Sequence, residues 1–450
     1  MERVGGEQMG ETQSLRQVIA ASFIGTTIEW YDFFLYGSAA ALVFGQLFFP
    51  YADPLVGTLA AFGTYGVGFV ARPIGGIIFG HYGDKIGRKA TLVITLMMMG
   101  IATLLIGLLP TAYTIGIWAP ILLVVLRTIQ GLGVGGEWGG AVLLAVEHSP
   151  PERRGFYGSW AQMGVPAGLL LANGTLFPLA ASLSSEQFLA WGWRVPFLAS
   201  IILIGVGLFV RLRILETPAF RQVQETQTEA QMPIVDVVRY HPRNVLLTTG
   251  MRIAQNGIFY ILTVFILTYV TEHLGLSRGT ALTGVIIAAA VSIFTTPAFG
   301  ALSDRIGRRR VYLFGAVFSL IFFSAPFFLL MDTRVTVLVW LAIVIGLAIG
   351  HDPMYGPQAA FFSELFGTRL RYSGASIGYQ LGSVVGGGVS PLIATSLLAL
   401  AGGHWWLIAA YTAALCLISI VSAYLASETY QEDITRERPE EREAIAGEPT

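Results

Sequence analysis

The sequence predicts an all-α membrane protein: twelve transmembrane helices arranged as two pseudo-symmetric six-helix bundles. Three observations carry that prediction. Of 450 residues, 54% are hydrophobic and 12% charged, about half the charged share of a soluble domain, so most of the exterior must face lipid. Apolar stretches of roughly 20 residues, the length that crosses a bilayer, recur along the whole chain. A ten-residue pattern, GHYGDKIGRK at 80–89, returns as GALSDRIGRR at 300–309, one half-chain later.

Taken in order, residues 1–17 form a polar N-terminal segment. The apolar run that follows is too long and too aromatic for a cleaved signal and is expected to be retained as the first span. Spans in the first half fall near 18–47, 56–80, 90–109, 115–145, 155–180 and 190–212. The longest interior polar stretch, 213–244, reads as a linker between halves. Spans in the second half fall near 245–271, 279–302, 311–331, 335–362, 373–400 and 404–426. The bundles are therefore 18–212 and 245–426, and the charged residues 427–450, without a heptad pattern, are expected to be a disordered tail.

Loop charge sets the orientation, because Lys and Arg stay on the cytoplasmic side. The loops after spans 2, 4, 6, 8 and 10 carry Lys85, Arg88 and Lys89; Arg153 and Arg154; Arg211, Arg213, Arg221, Arg239 and Arg243; Arg305, Arg308, Arg309 and Arg310; and Arg369 and Arg371. The opposite loops hold Arg278 and Arg334. Both termini are expected to be cytoplasmic, in a plasma membrane of the bacterial inner-membrane type.

The repeated loop follows spans 2 and 8. Its glycines, Gly80, Gly83 and Gly87 in the first copy and Gly307 in the second, permit tight turns and close helix approach. Asp84 and Asp304 can cap a neighbouring helix N-terminus or pair with Arg88 and Arg308. This is the chemistry of a conformational latch and contains no catalytic group. A second echo supports the duplication: EHSPPERRG at 147–155 and ELFGTRLRYSG at 364–374 each place an Arg seven residues after a Glu.

Several function classes are excluded. A net charge of −1 gives no basic surface for nucleic acid. The string GLGVGG at 131–136 matches a dinucleotide fingerprint but lies inside an apolar helix, where small residues serve helix packing. GASIG at 374–378 matches a nucleophile elbow without the strand–turn–helix context it needs, so Ser376 reads as a packing residue. No zinc-hydrolase or phosphate-loop motif is present, no metal site or organic cofactor is indicated, and the single cysteine, Cys416, reads as a buried thiol. A proton is the expected coupling ion.

Ionisable residues inside spans cost at least about 2.5–3.5 kcal/mol on insertion scales and mark function by default. Span 1 holds Glu29, Asp32 and Tyr36 at i, i+3 and i+7, hence on one face. Span 2 adds Arg72 to this intramembrane charge cluster, and span 4 adds Arg127, Gln130 and Glu137. Span 7 offers Arg252, Gln255, Asn256 and Tyr260. Span 10 holds His351, Asp352, Tyr355 and Gln358, with Pro353 and Pro357 expected to kink it. Tyr379 and Gln380 of span 11 complete the polar lining. Glu29, Asp32, His351 and Asp352 are the candidate proton carriers, the other polar residues candidates for solute binding. A structural ion cluster of Glu29, Asp32, Arg72 and Arg127 is the competing reading.

The two copies of the loop after spans 2 and 8, in two six-helix halves, resemble the major facilitator superfamily. Within it, IEWYDFFLYG at 28–37, ARPIGG at 71–76, RTIQGLGVGGEWGG at 127–140 and ETPAF at 216–220 look like the metabolite:proton symporter branch, over roughly residues 18–426. MYGPQAAFFSELF at 354–366 is most similar to its shikimate-type members. The resemblance implies a carrier with alternating access that takes up a small organic acid with a proton, working as a monomer in lipid. It carries over onto Glu29 and Asp32, Asp84 and Arg88, and Arg127, whose guanidinium could meet a solute carboxylate. The alternatives are uptake of a zwitterion such as proline or betaine, export by antiport, and a non-transporting sensor. MGVPAGLLLANG in span 5 lacks the Gly-Pro order of drug antiporters, and the short tail lacks the coiled coil of osmosensing members.

Overall fold

The computed structural model describes residues 15–86, 88–135, 138–147, 149–213, 237, 239–366 and 371–430. Segment 1–14, most of the 213–244 linker, Gly87, Glu137 and residues 431–450 lie outside the described residues, as do the side chains of 80–92. Among the described residues the regular structure is helical throughout. Nine stretches are long and apolar enough to cross a membrane, ten when the bent pair Arg308–Ser324 and Pro326–Asp332 counts as one. The column that begins with Leu15–Ala39, and Arg88–Leu108, bring the columns to twelve.

In chain order these are α1 (15–48), α2 (Pro54–Ile86), α3 (Arg88–Leu108), α4 (Trp118–Gly135 with Trp138–Glu147), α5 (Arg154–Ser182), α6 (Arg194–Arg213), α7 (242–273), α8 (Arg278–Ile306), α9 (308–332), α10 (336–364), α11 (371–400) and α12 (Trp406–Leu425). An even number of columns puts both ends of the described chain on one side, here the near end. The two halves meet where α5 packs along α8 and where α2 packs against α11. α7 is buried continuously from Gly250 to Val270, polar and apolar faces alike, and it forms part of the wall between the halves.

Local chemistry explains the breaks. Pro242 starts α7 at the first helical position, where a missing N–H costs nothing, so the helix begins three residues before the expected 245. Ala325 precedes Pro326 and leaves helical geometry at φ −153°, which bends α9 by 45°. In α10 the expected kink takes the form of a π-helical turn over Gly346–His351 followed by a break at Gly356 and Pro357. The π turns at Ala40–Phe44 in α1 and Ile261–Phe265 in α7 are buried throughout, the usual place for such a widening at a functional interior.

The outer surface is apolar, with Val70, Ile74, Ile77, Ile202, Phe294, Ile321 and Val421 exposed. Tyr51, Tyr113, Trp118, Trp191 and Trp406, all at the far end, are exposed aromatics placed as an interface belt. The glycines of 131–135 do what the helical context requires. A Cβ on Gly131 would meet the backbone of Gly68, one on Gly135 that of Arg72 and Gly76, and one on Gly133 the Met99 side chain, so α4 sits backbone to backbone on α2. Ser376 Oγ has no hydrogen-bond partner among the described residues, and Cys416 is buried.

This crossing gives a controlled test. Gly135→Ala is expected to cost about 3 kcal/mol, the upper end for overpacking, and to lower the thermal midpoint and the folded yield in detergent. Gly63→Ala, with nothing within 4 Å of the new methyl, is expected to change neither, as read by a melt followed with size-exclusion chromatography.

Candidate functional site

Lipid cannot solvate a guanidinium, so Arg72, Arg127 and Arg252 all turn inward, each about 1% exposed or less. Their surroundings differ. Arg72 lies over the faces of Phe33 at 4.1 Å, Phe69 at 4.7 Å and Trp30 at 4.9 Å. Arg127 lies over Phe33 at 4.0 Å, Tyr36 at 4.3 Å and Tyr65 at 4.7 Å. Arg127 also donates to Gln130 Oε1 at 3.0 Å, and Gln130 donates on to Thr103 at 2.7 Å. Nε and Nη2 of both Arg72 and Arg127 have no hydrogen-bond partner.

Burying an ion costs several kcal/mol, and a desolvated cation–π contact returns about 2 kcal/mol or more. The rings therefore offset much of the cost, while four guanidinium nitrogens stay unsatisfied. Among the described residues neither arginine is in an ion pair with Asp32, and Glu137, the other acid expected near them, lies outside the described residues. The acids of α1 lie close by. Asp32 sits beside Thr103 and Glu29, with Oδ1 lacking a hydrogen bond. Glu29 shares a small void with Arg72.

The second half holds its charges by hydrogen bonds. Arg252 donates to Ser383 at 3.1 Å, to Gln358 at 2.7 Å and to Gln255, and lies 3.6 Å over Tyr379. Gln255 Nε2 contacts His351 Nε2, and His351 Nδ1 lies 2.8 Å from Asp352. Ser292 donates to Asp352 at 2.8 Å, and Thr295 donates to its other oxygen. Asn256 instead braces α11 by donating to the Ser383 carbonyl at 3.2 Å.

The two sets converge at Tyr260, which lies within electrostatic reach of Arg72, Arg127 and Arg252. Its ring packs on Phe69 at 5.0 Å and Tyr65 at 5.9 Å, and neither Tyr65 nor Tyr260 has a well-formed hydroxyl hydrogen bond. Trp138 stacks on Tyr379 at 3.7 Å across the halves. Gln162 accepts from Trp138 at 3.1 Å and donates to the Tyr355 carbonyl at 3.5 Å. Gln380 donates to the Gly135 carbonyl at 3.2 Å. The void bounded by Glu29, Trp30, Arg72, Trp138, Gln162 and Gln380 is about 20 Å³, room for one water. The halves are closed on each other.

Sequence reasoning missed Trp30, Phe33, Tyr65, Phe69, Trp138 and Gln162. The signal was an arginine in mid-span without an acidic residue at i±3 or i±4, since such a cation needs ring faces. Glu137 and Gly87 lie outside the described residues, as do the side chains of Asp84 and Arg88, while Gly80 and Gly83 belong to the last turns of α2.

At the near end the second loop copy spans the halves. Asp304 accepts from the N–H groups of Gly155 and Phe156 at 2.8 Å each, at the N-terminus of α5, where a carboxylate is favoured. Arg308 pairs with Asp304 at 2.5 Å and forks onto Glu364 at 3.2 Å. Gly155 and Gly300 touch backbone to backbone, and Gly307 takes φ +104° to start α9, a conformation that favours glycine. The expected tail boundary at 427 needs correction. Glu428 accepts from the Arg308 and Arg309 N–H groups at 2.9 and 3.1 Å, and Thr429 donates to Glu364 at 2.6 Å. Open donors at a helix start hold the first tail residues in place.

Comparison with known proteins agrees with this architecture. The chain matches the Major Facilitator Superfamily profile over residues 22–378 and 290–448. It is 46% identical over 417 residues to the shikimate transporter of Escherichia coli K12, covering 92% of this chain and 95% of that one. It is 37% identical over 396 residues to the proline/betaine transporter of the same organism, covering 85% and 78%. It shares its fold with the xylose transporter XylE from E. coli in a partially occluded inward-open conformation, at a TM-score of 0.72 and 16% identity, covering 93% and 99%. The protein is a multi-pass membrane transporter and not an enzyme.

The latch can be tested without a solute. Asp304→Ala takes away one partner of a buried pair, a loss of about 3–5 kcal/mol. In a Cys416→Ser background with Ala161→Cys in the void wall, this change is expected to speed labelling by a water-soluble maleimide at least about tenfold, which needs only about 1.4 kcal/mol. An unchanged rate would show that Asp304 does not hold the near end shut.

Proposed function

Because the chain belongs to the Major Facilitator Superfamily, we propose that it is a proton-coupled importer of a small organic acid, of the shikimate or dicarboxylate kind, across a bacterial inner membrane. The observation that carries this reading is the set of four unsatisfied guanidinium nitrogens on Arg72 and Arg127, buried between the halves in an aromatic cage. A planar carboxylate supplies the acceptors those donors lack, and the surrounding rings suit the apolar body of a ring acid. The identity to the E. coli shikimate transporter supports the same solute class.

Direction and coupling follow from the loops and the buried acids. Exposed Arg153, Arg239, Arg243, Arg305 and Arg310 crowd the near end, which supports a cytoplasmic position for that end and for both termini. Buried Asp32 and the His351–Asp352 pair are the groups that can carry a proton. The whole path lies within one chain, so a monomer suffices. A zwitterion is the second reading, favoured by Glu29, Trp30 and Trp138 around the void, since aromatic faces also receive quaternary ammonium groups.

Proteoliposome uptake of labelled shikimate, 2-oxoglutarate, citrate, proline and betaine, with and without an inward proton gradient, decides between them. Gradient-driven accumulation of one of the acids is expected. Accumulation of proline or betaine alone supports the zwitterion, and gradient-driven depletion would reverse the vector. Arg127→Lys keeps the charge but loses the fork and the stacking surface. It is expected to raise the half-saturation concentration for the transported acid about 10- to 100-fold, the worth of a charged hydrogen bond of about 1.5–3 kcal/mol, at unchanged protein abundance.

A further inference from the structure

The hydrogen bonds from Arg252 to Asp352 run in one direction only. Ser292 and Thr295 donate to Asp352, so the carboxylate acts as acceptor, and the ring nitrogen facing it, His351 Nδ1 at 2.8 Å, carries the hydrogen. In a neutral ring Nε2 is then a bare acceptor. It receives the Gln255 amide N–H, which turns Gln255 Oε1 toward Arg252 Nη1 as its acceptor. Every link in the chain Arg252–Gln255–His351–Asp352 has its donor on the Arg252 side, and every member is buried.

We propose that His351 Nε2 is the site that takes up the coupling proton and that Gln255, as positioning residue, converts this protonation into a free anion-binding edge on Arg252. This deepens the reading of the protein as a proton-coupled importer of an acid and rests on it. A proton delivered by hydronium when the cavity is open adds to the Nε2 lone pair, and no bond between heavy atoms changes. The new Nε2–H then faces the Gln255 amide N–H, donor against donor. Rotating the amide by half a turn restores a hydrogen bond, with Oε1 now accepting from His351.

That rotation presents the Gln255 NH2 to Arg252 Nη1. The guanidinium loses one acceptor, and the turned amide competes for the second, Gln358 Oε1, which receives the same Nη1 at 2.7 Å. An Arg252 N–H left without an acceptor in this interior recruits a solute carboxylate from the side of Tyr260 and Tyr379. When the proton leaves, Gln255 turns back, Arg252 is satisfied internally, and the carboxylate is displaced. One proton and one carboxylate thus bind together and leave together.

The charged groups facing His351 are Asp352 on its own helix and Arg252 on α7. The helix α8 presents Ser292 and Thr295 to the pair, α9 presents Ser319 beside Gly350, and the rings of Phe259 and Tyr355 lie 4.8 and 5.0 Å away. Tyr379 of α11 lies behind Arg252. Among the described residues no second acid reaches the imidazole to hold it in one protonation state.

Two measurements test this. The first needs no solute: 15N-histidine solid-state NMR of the full-length protein in lipid vesicles, with the His351 signal identified by its absence in His351→Gln or His351→Asn. The expected result is Nδ1–H with bare Nε2 at pH 8 and both nitrogens protonated at pH 5.5. The opposite tautomer, or a ring unchanged over this range, overturns the proposal even if uptake is proton-driven. In the second, wild type is expected to half-saturate with shikimate at roughly tenfold lower concentration at pH 5.5 than at pH 7.5, one decade being about 1.4 kcal/mol. His351→Gln is expected to flatten that dependence to within about twofold while solute counterflow persists. Gln255→Glu, which accepts from both neighbours at once, is expected to flatten it while His351 still titrates. A wild-type pH profile in either variant refutes the coupling role. If the imidazole titrates as expected and no acid of the panel is transported, the importer reading fails and the proton site stands.

Discussion

The cost of placing a cation where neither water nor lipid can solvate it governs the arrangement of this bundle. Arg72, Arg127 and Arg252 each sit in mid-span on helices that would otherwise face hydrocarbon, and only the seam between the halves removes them from it. That requirement fixes which faces of α2, α4 and α7 point inward. It also explains why the packing around them is so close: α4 rides on α2 through Gly131 and Gly135, which brings Arg127 under the same phenylalanine that covers Arg72.

The two halves meet this cost in different ways. In the first half the arginines lie against ring faces, which attract a cation without directing hydrogen bonds, so donors remain open. In the second half Arg252 is bound by amides, a hydroxyl and a ring, and the chain continues to an aspartate with acceptors filled on both oxygens. A pseudo-symmetric fold therefore contains an asymmetric pair of sites, one waiting for an acceptor and one that must lose an acceptor before it can bind. Tyr260, within reach of all three cations, is where a solute would meet both.

What could be read from the sequence, and what could not, follows from the range of each interaction. The membrane class, the two halves and the latch loop were legible because lipid burial and glycine turns act through composition and local pattern. So were Arg127 with Gln130 and Arg252 with Gln255, since i, i+3 spacing places them side by side. The ring cages were not legible, because Phe33 on α1 and Phe69 on α2 reach the arginines only through the packing of separate helices. The fate of Glu428 was hidden for the same reason. A charged tail reads as solvated until the open N–H groups at the start of α9 are seen beside it.

The closed state has gates of opposite chemistry. At the near end the halves are joined by Asp304 on the α5 N-terminus and by the Arg308, Glu364, Thr429 and Glu428 network that steadies it, all groups that water can solvate once the helices part. From the central site to the far end the seam is mostly apolar and close-packed, with Phe34 on Phe259 at 5.6 Å, Phe69 over Gly388 and Gly37 beside Val264, and few polar links such as Thr268 to the Ala41 carbonyl at 3.3 Å. Opening the near end exchanges hydrogen bonds for hydration and is nearly balanced, whereas opening the far end exposes apolar surface at about 25 cal/mol per Å². The latch therefore has to be strong only in proportion to a small net cost, and charge on a few residues suffices to decide which side the central site faces. A solute that satisfies Arg72 and Arg127 pulls the halves together from the centre, where neither gate can act alone.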